Sequence, residues 1–284
     1  MSLRLPEDIT LPFAAYGVLR PGEPAYPRVA GYVIRVEPVD LTGSLFISDG
    51  LPLLELSSGL QGGTVRGIVL HFRSGSNAEA YRAICGFEPD KHYEWSLVQT
   101  ADGSANVLVG KTPQVGSEPW EEHQWSSWRD PVFDYALPVI NAVLNDIGRS
   151  EFTSAPPHRF EWDRFFRLQM AYLLLWSAIE RFCSLAYGPS LDPEEKVRRM
   201  EADDRIVTLF TEFVDRQDEV LDARDPKEKY RLSSEDPKAC LLYYRQIRNN
   251  LSHRGKSAYR DGEKVRMALA ELLPLFEAAI SACR

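Results

Sequence analysis

The chain of 284 residues is 44% hydrophobic, 26% charged and 11% aromatic, values of a folded protein with one or two cores, which exclude a fibrous or extensively disordered chain. A formal net charge of −8 and a pI near 5.3 exclude a general attraction to nucleic acid, so any contact with RNA or DNA has to rest on a local basic patch. Four scattered cysteines, Cys85, Cys183, Cys240 and Cys283, form no CxxC pair, which speaks against a disulfide framework or zinc site and for a reducing, cytoplasmic setting.

The opening MSLRLPEDITLP carries charge and proline where a signal peptide needs an apolar run. From Leu11 to about Gly110 the runs YGVL, RVAGYVIRV, GSLFIS, GIVLHF, YEWSLVQT and ANVLVG alternate with glycine and proline, which predicts strands, with one helix over Asn77 to Ile84. Residues 111–130 hold polar side chains and three tryptophans without period, as in a linker lying across a surface. After Pro131 the period becomes helical and predicts helices at about 132–148, 160–187, 193–221, 237–254 and 262–283. Asp192-Pro193 and Asp236-Pro237 place a capping carboxylate before a first-turn proline. Gly255 is expected to stop the fourth helix and Pro274 to kink the fifth, while residues 222–236 read as a charged loop. Met170 to Ile179, the longest apolar stretch, is too short to span a bilayer and runs into Glu180 and Arg181, so no membrane association is expected. The expected fold class is α+β: a small β-rich domain over 1–115, a linker over 116–131 and an all-α domain over 132–284.

Three patches of the first half belong together. They are Phe13-Ala14-Ala15-Tyr16-Gly17-Val18-Leu19-Arg20-Pro21-Gly22, Asp49-Gly50-Leu51-Pro52, and Phe87-Glu88-Pro89-Asp90-Lys91-His92-Tyr93. Taken alone, Tyr16-Gly17 is a strand end with a tight turn and Glu88 a loop carboxylate. In this order they resemble the γ-glutamylcyclotransferase-like family over residues 10–112. That resemblance implies a small mixed β-barrel-like domain in which a γ-glutamyl amine attacks its own side-chain carbonyl, releasing 5-oxoproline and an amine without any cofactor. Glu88 matches the family's glutamate, and a partly buried glutamate with a raised pKa suits both proton transfers. Tyr16, Gly17, Val18 and Leu19 match the turn whose backbone N–H groups hold the substrate carboxylate. Val18 stands where the family commonly has a hydroxyl residue.

In the second half the run YYRQIRNNLSHRG contains Arg248, Asn249 and His253 in the order arginine, polar residue, three residues, histidine. It resembles the signature of the HEPN superfamily, helical bundles that often act as metal-independent ribonucleases, over residues 132–283. Glu180 is similar to an acidic residue that several HEPN groups carry in an earlier helix; its plain alternative is the buried partner of an arginine such as Arg248. A five-residue step turns about 140° on a helix, so Arg248 and His253 do not share one face. Either the helix ends near His253 or two copies meet at a two-fold interface, the arrangement the resemblance implies. His253 is then the general acid or base and Arg248 the stabiliser of the phosphorane charge. Arg245, Arg248, Arg254, Lys256 and Arg260 follow one another without an acidic side chain, a basic patch for phosphates or else a solvated helix end.

Three functions remain on these residues. The first expectation is an RNA-targeting effector, homodimeric through its helical domain, whose cyclotransferase-like part acts as sensor, regulator or second enzyme; its companions are an RNA substrate and an antitoxin or defence partner. The second is a γ-glutamylamine cyclotransferase built on Glu88, taking a γ-glutamyl small molecule, with a helical domain that only dimerises. The third is a binding module without catalysis. None calls for a cofactor or metal.

Overall fold

The structure, a computed structural model, describes residues 3–48, 50–57, 63–111, 118–147, 159–225, 227–254 and 261–283, with backbone alone at 159–161, 253 and 254. Its described residues divide into two compact units, one made of residues up to Asp130 with Ser184–Leu191, the other of Pro131–Cys183 with Asp192–Cys283.

In the first unit β1 (Phe13–Ala15), a one-turn helix α1 (Pro27–Ala30), β2 (Val33–Ser48), β3 (Leu51–Leu56), β4 (Thr64–Phe72), α2 (Asn77–Phe87), β5 (Tyr93–Thr100), β6 (Gly103–Gly110) and β7 (Glu118–Trp120) follow in order. The strands join as β3-β2-β4-β1-β6-β5, with β7 on β2. Short β1 is buried throughout because it lies between β4, antiparallel, and β6, parallel; that parallel pair makes the sheet mixed. Long β2 pairs with β4 up to Thr42 and with β3 from Gly43 onward. A glycine marks the change of partner because a Cβ on Gly43 would lie 2.3 Å from the Glu55 carbonyl oxygen. Around the change, Leu41, Gly43 and Leu45 face the core while Asp40, Thr42 and Ser44 face out, the period of two that pins a half-buried strand. The Tyr93 hydroxyl donates to the Pro52 carbonyl at 2.8 Å, drawing β5 toward β3 and nearly closing the sheet into a barrel. Helix α2 lays Ala80, Tyr81, Ile84, Cys85 and Phe87 on the core, the spacing of one helical face.

One strand expectation and part of the linker expectation differ from the structure. Arg28-Val29-Ala30, read as the start of a strand, is helical: Pro27 presets the first helical turn, and the strand begins at Val33. The tryptophan-rich segment is partly built into the barrel, since β7 pairs with Leu45 to Ile47, and Trp125 and Ser127 are buried. Glu23 holds it there, accepting the Ser127 N–H at 3.1 Å and hydroxyl at 2.5 Å while paired with Arg20 at 3.2 Å. Arg20 in turn donates to the Trp125 carbonyl.

In the second unit a π-helical turn at Val132–Ala136 leads into α3 (Leu137–Ile147); then come α4 (Arg159–Tyr187), α5 (Pro193–Glu201), α6 (Asp204–Phe213), β8 (Asp218–Leu221), β9 (Lys229–Leu232), α7 (Pro237–Arg254) and α8 (Gly262–Cys283). Asp192 caps α5 as its proline predicts, accepting the Glu195 N–H at 2.9 Å. The helix expected over 193–221 is instead two helices and a strand, because Asp203 starts a fresh helix by accepting the Arg205 N–H. The charged loop at 222–236 likewise contains β9, so this half is mainly, not wholly, helical. Asp218 anchors the hairpin: Arg216, Tyr243 and Lys264 all reach its carboxylate, at 2.8, 2.5 and 3.2 Å. Helix α8 continues on both sides of Pro274. Among the described residues no helix is long and apolar enough to cross a membrane.

Candidate active site

Glu88 owes its position to Pro89. A residue before proline is driven out of the helical region, so α2 ends at Phe87 and Glu88 turns extended, with φ −80° and ψ 131°, its N–H still bound to the Ile84 carbonyl. The side chain enters a pocket lined by the turn from Tyr16 to Leu19, by Phe13 and Ala15 of β1, and by Pro52, Tyr93 and Leu108. About 310 Å³ of space, partly open to solvent, lies among these residues. Glu88 is 8% exposed, and among the described residues nothing donates a hydrogen bond to its carboxylate. Burial therefore pushes its pKa from 4.5 up to about 8. The carbonyl end of α2 acts in the same direction, since a helix C-terminus disfavours a negative charge.

The turn supplies the opposite electrostatics. The Gly17 and Val18 carbonyls accept from Arg20 and Ala25, but among the described residues the N–H groups of Gly17, Val18 and Leu19 have no acceptor. Consecutive N–H groups of this kind suit a carboxylate. Gly17 is held close to Pro52, where a Cβ would lie 2.9 Å from the proline Cγ. Val18 is buried and contributes a hydrocarbon wall to the pocket. Among the described residues no cationic side chain lines the pocket. Phe13, Pro52, Tyr93 and Leu108 were not among the sequence candidates. Tyr93 had a signal, the tyrosine following the glutamate, whereas Phe13 and Leu108 are ordinary strand residues that only sheet pairing brings to the site.

The helical unit brings together a different group. Arg248 Nη2 lies 2.9 Å from Glu180 Oε1, both side chains about one third exposed at 32% and 35%, and Arg248 also donates to Asn249 Oδ1 at 3.2 Å. Half-buried Arg245 stands near Glu201, one of whose carboxylate oxygens is buried without a hydrogen-bond partner. Burial raises the Glu201 pKa to about 7 against the opposing pull of Arg245 and then Arg198. A run free of acids in sequence is thus met by acids from α4 and α5. Helix α7 continues to Arg254, so its backbone carries Arg248 and His253 on one helix, about 140° apart. The side chains of His253 and Arg254, and residues 255–260 with Lys256 and Arg260, lie outside the described residues.

On the barrel surface Glu37, His71 and Asp102 gather within ligand distance of one another. Arg35 already pairs with Glu37 at 3.0 Å and Asp102 at 2.8 Å, and His71 bonds Glu37 at 2.8 Å, so these groups form a cross-strand ion network.

No family model matches the chain, and no curated protein matches it. Among solved structures, an uncharacterised protein of Pyrococcus horikoshii, PH0828, is 18% identical over 50% of this chain and 99% of its own, with a TM-score of 0.32. The urea amidolyase of K. lactis is 10% identical over 49% of this chain and 9% of its own, with a TM-score of 0.35. Likenesses this distant carry no functional argument.

Proposed function

We propose that the first unit catalyses an intramolecular cyclisation in which Glu88 moves a proton between two nitrogens, the reaction of a γ-glutamyl amine or amide that yields 5-oxoproline and a free amine. One observation carries the reading: a buried carboxyl with a pKa of about 8 lines a small pocket with a turn, and among the described residues neither that carboxylate nor the turn's N–H groups have a hydrogen-bond partner. The turn suits the substrate's α-carboxylate and the ionised Glu88 its ammonium. A carboxylate whose pKa lies near that of an amine accepts the ammonium proton at little cost and returns it to the leaving nitrogen. The attacking nitrogen forms the lactam C–N bond as the bond to the leaving amine breaks: Glu88 passes the first ammonium proton to the leaving nitrogen, then takes the second from the newly bonded nitrogen and hands it to the released amine, which departs as ammonium and leaves Glu88 ionised. The test is 5-oxoproline release from a panel of γ-glutamyl amines and amides by the full chain. Release that Glu88→Gln abolishes, with the fold intact by circular dichroism, is the expected result; a panel without release sinks the reading.

A second reading, metal-independent RNA cleavage by the helical unit, is favoured by the Arg248–Glu180 pair with Asn249 beside it, a cation oriented by a neighbouring acid. It expects mixed RNA to be cut in EDTA to 2′,3′-cyclic phosphate ends, and expects Arg248→Ala or His253→Ala to stop the cutting. Undiminished cleavage in both variants rejects it.

A further inference from the structure

We propose that the Tyr16 phenol is the hydrogen-bond donor that meets the reacting carbonyl oxygen in the Glu88 pocket, an inference that rests on the cyclisation reading and adds a second chemical group to it. The pocket holds two buried phenols, Tyr16 and Tyr93, and they are engaged in opposite ways. Tyr93 donates its O–H to the Pro52 carbonyl at 2.8 Å, so its hydrogen is committed to closing the barrel. Tyr16 is an acceptor: the Leu54 N–H donates to its oxygen at 3.2 Å, and among the described residues nothing accepts its own hydrogen. A buried O–H without an acceptor is costly. Tyr16 and Glu88 line the same pocket, and the Glu88 charge acts on the Tyr16 phenol.

The chemistry of the phenol fits a donor and not a base. Burial raises its pKa far above neutrality; the Leu54 N–H pulls it down less strongly, and the Glu88 charge adds a lesser push upward. The Leu54 bond into the phenol oxygen also polarises the O–H and strengthens it as a donor. In the reaction the substrate's α-nitrogen bonds to the γ-carbonyl carbon, and the carbonyl π pair moves onto oxygen. The Tyr16 O–H holds that oxygen without giving up its proton. When the bond to the leaving amine breaks, the pair returns to the carbonyl, Glu88 delivers the first ammonium proton to the leaving nitrogen, and it then takes the second proton from the lactam nitrogen. The N–H groups of Gly17 to Leu19 are assigned to the substrate carboxylate, so Tyr16 is not duplicated.

The test compares 5-oxoproline release by full-length wild type, Glu88→Gln, Tyr16→Phe and Tyr81→Phe. Tyr81 is the control for a lost buried phenol, since its hydroxyl donates to the Leu11 carbonyl at 2.8 Å outside the pocket. The expected result is no release with Glu88→Gln, a fall of about 100-fold or more in kcat with KM within about threefold for Tyr16→Phe, and kcat within about threefold for Tyr81→Phe. A Tyr16→Phe protein whose kcat stays within about threefold of wild type, beside an inactive Glu88→Gln, overturns the role of Tyr16 and leaves cyclisation standing. No release by the wild type overturns cyclisation and the Tyr16 role with it. Should Tyr16→Phe fail to fold, a polyfluorinated tyrosine installed at position 16 keeps the shape with a more acidic phenol. Its kcat then gains an alkaline falling limb that the wild type lacks, and identical pH profiles overturn the proposal.

Discussion

At the scale of single residues the behaviour of the site follows from one buried carboxyl. Glu88 titrates near 8 in the folded chain against 4.5 without burial. Its ionised form accepts the substrate ammonium, so kcat/KM should rise with pH through a midpoint of about 8, a limb measured by initial rates between mildly acidic and alkaline buffers. A flat profile over that range contradicts the assignment. Stability moves the other way. A folded-state pKa above the unfolded one means that the folded protein binds more protons, so this group's contribution declines as pH rises from 4.5 through about 8. Glu88→Gln removes that decline, and its melting temperature should exceed the wild type's at alkaline pH by about 2–6 °C, with a smaller difference near pH 5. Equal differences at both pH values would show that the carboxyl is not desolvated. Glu88 was legible as a candidate through the run from Phe87 to Tyr93 and its order after the Tyr16 turn, whereas taken alone it read as a loop carboxylate. Its burial was not, because the apolar walls come from distant strands.

At the scale of elements, two contacts decide whether a segment keeps its place. The turn after β1 sits against β3 through Gly17 and Pro52, and a methyl at Gly17 would lie 2.9 Å from a rigid proline ring. Gly17→Ala should cost about 1–3 kcal/mol in urea denaturation and raise KM about tenfold as the N–H groups shift; an unchanged KM would remove the turn from the binding site. The β8–β9 hairpin depends on Asp218. Burial pushes its carboxyl up, but hydrogen bonds from Tyr243, Arg216 and the Glu219 N–H, with the Lys264 charge, outweigh this and hold it at about 2. Asp218→Ala should destabilise the second unit by about 1–3 kcal/mol at neutral pH. Because the shift is downward, the wild-type advantage should fade as pH falls below 3.8 toward 2, and a pH-independent difference argues against the ion pairs. The hairpin escaped the sequence reading because its strands are short and charged and are held by polar groups of α7 and α8 rather than by an apolar alternation.

At the scale of the whole molecule, the acidic total leaves RNA binding to a local feature, and that feature is partly neutralised. Glu180 pairs with Arg248, and Glu201 stands near Arg245. If two copies build a composite site, Arg248→Ala and His253→Ala chains should complement each other when mixed. Random dimerisation makes half the dimers mixed, each with one intact site of two, so about a quarter of wild-type cleavage should return; no recovery rules out a shared site.

The sequence by itself determined the α+β division, most helix positions and the candidate turn at Tyr16 to Leu19. These are local matters of periodicity, proline geometry and glycine placement, which act over a few residues. Only the tertiary structure decided that Phe13, Pro52, Tyr93 and Leu108 enclose Glu88, that one pocket phenol is bonded to the barrel while the other keeps its hydrogen, and that acids from α4 and α5 meet a basic helix. Desolvation and charge pairing depend on distances between groups far apart in the chain, and those distances exist only once the chain has folded.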